Sequence, residues 1–270
     1  MDVFEEVSRA YAAWNGEKCI FGRSVQGRPL YAFFAGENAF PVGICQAAMH
    51  AREWVTAYLV LGQLARGVRR GGVWFLPLVN PDGALLSQCG ADTLDMVRRE
   101  SVLRLSDGQP LSLWKANAEG VDLNVNFPAR WGTGKTNVRT PAPANYIGHA
   151  PLCAPESRAL AAFTLRVQPA FTVSYHTKGE EIYWRFHQPP RRLARDLRLA
   201  KLLRSATGYP LKEAPMSAGG YKDWCIRALK IPAFTVEVGR EEGEHPLGKA
   251  ELFDIFKKNL DSIERLTEGI

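Results

Sequence analysis

The 270-residue chain is 46% hydrophobic and 23% charged, a balance that supplies a full core and excludes disorder and fibre-forming repeats. No run of about 18 apolar residues occurs, so a membrane-spanning helix is not expected. A formal charge of +6 makes anionic partners worth weighing.

In chain order, the acidic start MDVFEEVSRAYAAW lacks the basic-then-apolar order of a secretory signal, so a cytoplasmic location is expected. A spore compartment or release by another route also fits. Apolar, β-prone runs then lie at Leu30–Phe34, Val42–Gln46, Val73–Leu78, Phe171–Tyr175, Glu181–Trp184 and Ala233–Val238. Helical spacing marks Trp54–Arg66, Pro155–Arg166, Arg191–Thr207, Asp223–Leu229 and Leu247–Leu266. Strands alternating with helices predict an α/β fold, one domain over residues 1–270, with a mixed, mainly parallel twisted sheet and helices on both faces. The stretch Ser87–Ala150, rich in Gly, Pro, Asn and Thr, is expected to form long functional loops.

Several conspicuous features have plain structural readings. In the basic segment Arg191–Gly208, Leu193, Leu197 and Ala200 recur at helical spacing, so the arginines form its wet side. No nucleic-acid signature accompanies them, and a nucleic-acid partner is not expected. Cys19, Cys45, Cys89, Cys153 and Cys225 are scattered without a CxxC pair and are expected as small buried hydrophobes. GTGKT at Gly132–Thr136 lacks the spacing of a phosphate loop. NPDG at Asn80–Gly83 is a turn whose asparagine orders the loop, and Trp131, Trp184 and Trp224 are expected in the core.

Ligands of such sheets bind beyond the carboxyl ends of the strands. His50 follows Val42–Gln46, His176 follows AFTVSY, and Glu237 closes PAFTVEVG. A catalytic zinc takes three protein ligands and keeps one position open, and two histidines with one glutamate form an established set. His50 and Glu53 stand three apart at a strand-to-helix turn, where both side chains can face one centre. His176 is the best third ligand, since His149, His187 and His245 sit among Pro or Gly loop residues. Taken alone, His-x-x-Glu also fits a helix N-terminus carrying a dipole-favoured glutamate.

Five stretches in order, HAREW, GVDLNVNFP, SYHTKGEEIYW, AGGYKDW and FTVEVG, resemble the zinc carboxypeptidase (M14) family, from about Gly22 to the last helix. HTKGEEIYW and GGYKDW resemble its bacterial branch that cleaves γ-D-glutamyl-diamino acid bonds. The resemblance implies one Zn2+ held by His50, Glu53 and His176, with Glu237 as general base and acid and Arg52 facing substrate beside the metal. It further implies that Asn124 hydrogen-bonds a substrate carboxylate and that Lys222 reads an acid-bearing side chain such as that of meso-diaminopimelate. Tyr221 is either a phenolic donor near substrate or a packed aromatic, and Asp223 could pair the amino group of diaminopimelate but is expected to cap the helix that follows.

Three departures from the family pattern stand out. Val125 replaces the arginine that clamps a C-terminal carboxylate. Ala118 and Glu119 stand where the family carries an oxyanion-binding arginine, with Lys115 the nearest upstream cation. The place of the digestive members' mobile tyrosine falls near Pro215. The expected function is zinc-dependent hydrolysis of an amide in a peptidoglycan-derived peptide, γ-D-glutamyl-diaminopimelate, without membrane or nucleic-acid partners. Two other readings stand beside it: a hydrolase of the same scaffold acting on another acidic substrate, and a zinc-bearing muropeptide binder with little turnover.

Overall fold

In the computed structural model, which describes residues 1–214 and 216–270, eight strands form one sheet. They are β1 (Lys18–Arg23), β2 (Pro29–Gly36), β3 (Val42–Ala47), β4 (Gly72–Leu76), β5 (Phe171–Thr177), β6 (Glu181–Tyr183), β7 (Leu211–Lys212) and β8 (Ala233–Val238). Their order is β1-β2-β4-β3-β5-β8-β6-β7. The central ladder β4-β3-β5-β8 is parallel, and β2 and β6 flank it antiparallel. The position near Pro215 that matches the family's mobile tyrosine lies outside the described residues.

Successive side chains of a strand point to opposite faces, and both faces are covered. On one, Cys45, Phe75, Val173 and Val236 pack against α1 (Val3–Ala13), α2 (Val55–Arg66), α6 (Pro190–Thr207), α8 (Leu252–Asn259) and α9 (Ser262–Glu268). On the other, Ala32, Ile44 and Leu76 pack with Leu160 and Phe163 of α5 (Pro155–Val167) and Tyr221 and Trp224 of α7 (Tyr221–Trp224). Among the described residues no helix is long and apolar enough to cross a membrane.

Several elements differ from expectation, and the edge strands β1 and β7 lie outside the predicted runs. α1 is amphipathic, buries Val3 and Val7, and is started by the Asp2 carboxylate accepting from Glu5 N at 2.8 Å. A helix α3 (Pro81–Cys89) runs into the irregular stretch, which itself holds α4 (Met96–Ser106); α4 is mostly solvated, buries only Val102 and Ser106, and so shows no apolar stripe. NPDG therefore opens a helix rather than a simple turn. The last predicted helix breaks near Asp261 into α8 and α9. Cys45 and Cys225 are buried, whereas Cys89 is exposed, against the expectation for all five.

Candidate active site

The chain leaves β3 through Ala48, whose φ of 50° turns it sharply, and a single 3-10 turn, Ala51–Glu53, leads into α2. Thr56 closes this bend: its hydroxyl donates to the Glu53 carbonyl at 2.7 Å and accepts from Ala48 N at 3.0 Å. Asn80 fixes it from outside. Its Oδ1 caps α3 by accepting from Gly83 N, and its Nδ2 donates to the carbonyls of Met49 at 3.2 Å and Ala116 at 3.1 Å. One buried amide thus ties the bend to the segment carrying Lys115, and it orders the loop as its sequence suggested.

The bend brings His50 and Glu53 to His176 at the end of β5. His50 Nδ1 lies 2.9 Å from Glu53 Oε1, His176 Nδ1 lies 2.9 Å from Glu53 Oε2, and the two Nδ1 atoms are 3.1 Å apart. All three side chains are buried. Two imidazole nitrogens facing each other at this distance cannot both carry protons inward. A divalent ion about 2 Å from each donor resolves this, because ligand atoms around such an ion sit roughly 3 Å apart. The residues present fit a zinc site, with one ligand atom from each of His50, Glu53 and His176 within 4.8 Å of the others. Burial raises the Glu53 carboxyl, but both histidines outweigh it and hold the group well below the usual carboxylate range. Thr177 N also donates to Glu53 Oε2 at 3.2 Å.

Glu237 stands beside His176 as its registered neighbour on the parallel strand β8. The alternation of strand side chains puts both on the same face of the sheet. Burial, partly opposed by His176 and reinforced by Glu53, pushes the half-buried Glu237 carboxyl up to about 7. Next to it opens a cavity of about 240 Å³ lined by Asn124, Tyr183, Ser217, Lys222, Thr235 and Glu237.

The remaining expected site residues separate into those that reach this region and one that does not. Arg52 is half-buried on the bend itself, with its Nε enclosed and without a partner. Asn124 lines the cavity, and its Oδ1 accepts from Tyr221 N at 3.1 Å. Lys222 lines it as a buried ammonium bonded to Asp223 Oδ1 and to the Arg185 carbonyl. Tyr221 is the correction: it is fully buried, and its hydroxyl meets Thr164 Oγ1 of α5 at 2.8 Å, so it is a packed aromatic rather than a phenolic donor to substrate. Asp223 is also corrected. Gly220 holds the N-cap position of α7, and the Asp223 carboxylate instead pairs Lys222 and accepts from Ser217 Oγ.

Sequence reasoning missed Asp122, Tyr183 and His245. Asp122 is fully buried, with Oδ1 3.3 Å from His50 Nε2 and Oδ2 2.9 Å from Lys115 Nζ. A carboxylate on the outer nitrogen of a ligating histidine fixes its tautomer and ring orientation. Its signal lay within GVDLN, where the asparagine alone drew attention. Lys115 is therefore not merely the nearest cation in sequence: its charge reaches His50, Glu53 and Glu237. His245, set aside as a loop residue, sits where the charges of Arg52, Glu53, Lys178 and His50 all reach its ring.

Comparison with known proteins agrees with this geometry. A sequence model of the zinc carboxypeptidase family matches residues 15–262. The chain is 31% identical to the gamma-D-glutamyl-L-diamino acid endopeptidase 1 of Lysinibacillus sphaericus, an alignment covering 96% of this chain and 69% of that protein. It is 33% identical to the murein peptide amidase A of Escherichia coli K12 over 58% of this chain and 57% of the other. Among solved structures, the murein-tripeptide amidase of Escherichia coli O157 superposes with a TM-score of 0.64 at 26% identity, covering 94% of this chain and 93% of that one. Bovine thrombin-activatable fibrinolysis inhibitor reaches 0.77 at 18% identity over 99% and 96%, a likeness of fold.

Proposed function

The chain belongs to the zinc carboxypeptidase family of metallopeptidases, and on that premise we propose that it hydrolyses the γ-D-glutamyl-diaminopimelate amide of cell-wall peptides. The observation that carries this reading is the convergence of His50, Glu53 and His176 beside Glu237, at the mouth of a cavity that holds a buried Lys222-Asp223 pair. The names of the relatives from Lysinibacillus and Escherichia support the substrate class.

In this reading His50, Glu53 and His176 would hold a zinc ion, which when bound would acidify water and polarise the scissile carbonyl. Asp122 keeps the outer nitrogen of His50 protonated and its inner one free to bind the ion. Glu237, poised near neutrality, takes a proton from the attacking water and delivers it to the leaving nitrogen. Lys115 and Arg52 oppose the negative charge that develops on the carbonyl oxygen, the task of the family's missing arginine. Beyond the scissile bond, Lys222 meets the side-chain carboxylate of diaminopimelate and Asp223 its ammonium group. Val125 offers no charge to a terminal carboxylate, which favours action without a requirement for a free C-terminus.

The test is mass spectrometry of products from L-Ala-γ-D-Glu-meso-diaminopimelate, with Glu237→Gln as control. Release of diaminopimelate by the wild type alone is expected. Tight binding of the peptide without metal-dependent cleavage would replace the peptidase by a muropeptide binder.

A further inference from the structure

We propose that Asn117 and Glu156 are positioning residues of the metal site: the Glu156 carboxyl on α5 orients the Asn117 amide, and that amide folds the turn which brings Lys115 and Asp122 together. The proposal rests on the roles given above to Lys115 and Asp122. It extends them to two residues that do not line the cavity beside Glu237.

Lys115 and Asp122 stand on the two flanks of one tight turn. At its base Asn117 N donates to the Val121 carbonyl at 2.9 Å, and within it Gly120 N donates to the Asn117 carbonyl at 3.1 Å. Gly120 has a φ of 72°, left-handed backbone that glycine adopts without strain. The Asn117 Oδ1 accepts from both Glu119 N and Val121 N, each at 3.0 Å. Two buried donors that the turn leaves unpaired are thereby satisfied by one atom. The next residue is Asp122, whose carboxylate meets Lys115 Nζ at 2.9 Å and His50 Nε2 at 3.3 Å. The carbonyls of Pro143 and Tyr146 hold the flanks from outside, through Ala116 N and Asp122 N at 2.9 Å each, and the turn sets the spacing between them.

An amide has a donor end and an acceptor end, and only one orientation serves this turn. Glu156 selects it. Its Oε2 accepts from Asn117 Nδ2 at 3.1 Å and its Oε1 accepts from Val25 N at 3.0 Å. With both oxygens used as acceptors, Asn117 presents its NH2 to Glu156 and its oxygen to the turn. Both side chains are fully buried, so neither contact can be handed to solvent. α5 is itself packed on the sheet through Leu160 and Phe163, so the turn is referenced to the core rather than to another loop. Glu156→Gln keeps the shape but exchanges one acceptor for a donor, which then faces either Val25 N or Asn117 Nδ2. Inverting Asn117 in response would turn its NH2 against the N-H groups of Glu119 and Val121.

The experiment compares the zinc-loaded wild type with Glu156→Gln and Asn117→Ala, each alone and combined with Lys115→Met, on L-Ala-γ-D-Glu-meso-diaminopimelate. Each single substitution is expected to lower kcat by roughly tenfold or more with KM little changed, the effect of a displaced group at the reacting centre. Beside Lys115→Met the same substitutions should cost much less, because the group they position is gone. Zinc affinity, measured by chelator competition, provides a readout without turnover. Asn117→Ala should weaken it by roughly tenfold in the wild type and leave it nearly unchanged beside Asp122→Asn. Coupling in either cycle supports the proposal through the residue concerned. Additivity in both cycles, or single variants that lower only the thermal midpoint, overturns the positioning role and leaves the cleavage reading intact. A wild type that takes up zinc and cleaves nothing overturns the cleavage reading, while the affinity cycle still decides the positioning role. If Asn117→Ala does not fold, Asn117→Ser and Glu156→Gln carry the same two cycles.

Discussion

His176 and Glu237 are registered partners on adjacent parallel strands, so a metal ligand and the candidate proton carrier are set side by side by backbone hydrogen bonds rather than by loop packing. Loops and one short helix supply what surrounds them: the bend with His50 and Glu53, the segment with Lys115 and Asp122, and α7 with Lys222. This division of labour yields separate expectations for each part.

Glu237→Gln keeps the shape of the site and removes the proton carrier. Cleavage should fall by about 10²–10⁴, the usual contribution of general acid-base catalysis. Zinc content and thermal midpoint should stay close to wild type, as checked by metal analysis and calorimetry.

Lys115→Met removes a cation from the site and leaves Asp122 buried beside His50 without its ammonium partner. A loss of about 2.7–4 kcal/mol in transition-state stabilisation is expected, seen in kcat more than in KM. Lys115→Arg should recover much of it. An effect confined to KM would place Lys115 in substrate binding alone.

Asp122→Asn tests the outer contact to His50 without touching a ligand. Zinc affinity, measured by competition with a chromophoric chelator, should weaken by about 10–100-fold. An unchanged affinity would mean that the 3.3 Å approach does not orient the ring.

Lys222→Ala should relax the preference for diaminopimelate. In a panel of γ-D-glutamyl amides, discrimination between acidic and neutral side chains should shrink by roughly tenfold or more. Because Lys222 also holds Asp223, Lys222→Arg serves as the conservative control.

Glu156 gives a pH signature away from the site. Fully buried, it accepts from Val25 N and Asn117 Nδ2, and burial pushes its carboxyl from the ordinary 4.5 up to about 7. A carboxyl raised in the folded state contributes stability that is full below about 4.5 and is lost as pH rises through about 7. The loss amounts to roughly 3 kcal/mol at most. Glu237 acts with the same sign, so the comparison belongs in a Glu237→Gln background. There the thermal midpoint should fall between pH 5 and 8, and Glu156→Gln should flatten that slope.

The parts of this site legible in the sequence are those that regular structure places. His176 and Glu237 end strands whose apolar runs are plain, and His50 follows another, so strand ends alone brought three of the four central residues forward. Asp122 was silent because its meaning depends on a loop returning to His50, a contact between residues with no shared periodicity. Tyr221 and Lys222 show a second limit. On a short helix, neighbouring residues diverge by about 100°. One faces α5 and the other the cavity, and their order could not be read before α5 was in place. α4 escaped notice because a solvated helix carries no apolar stripe, whereas α6, whose Leu199, Ala200 and Leu203 are buried, displayed one.

The most direct measurement is zinc bound per chain after dialysis for the wild type, Glu237→Gln and His176→Ala, taken beside product analysis on the diaminopimelate tripeptide. One ion is expected in the first two and a marked loss in the third, with cleavage by the wild type alone. A folded wild-type protein that takes up no zinc, or a Glu237→Gln protein that cleaves at the wild-type rate, would contradict the assignment.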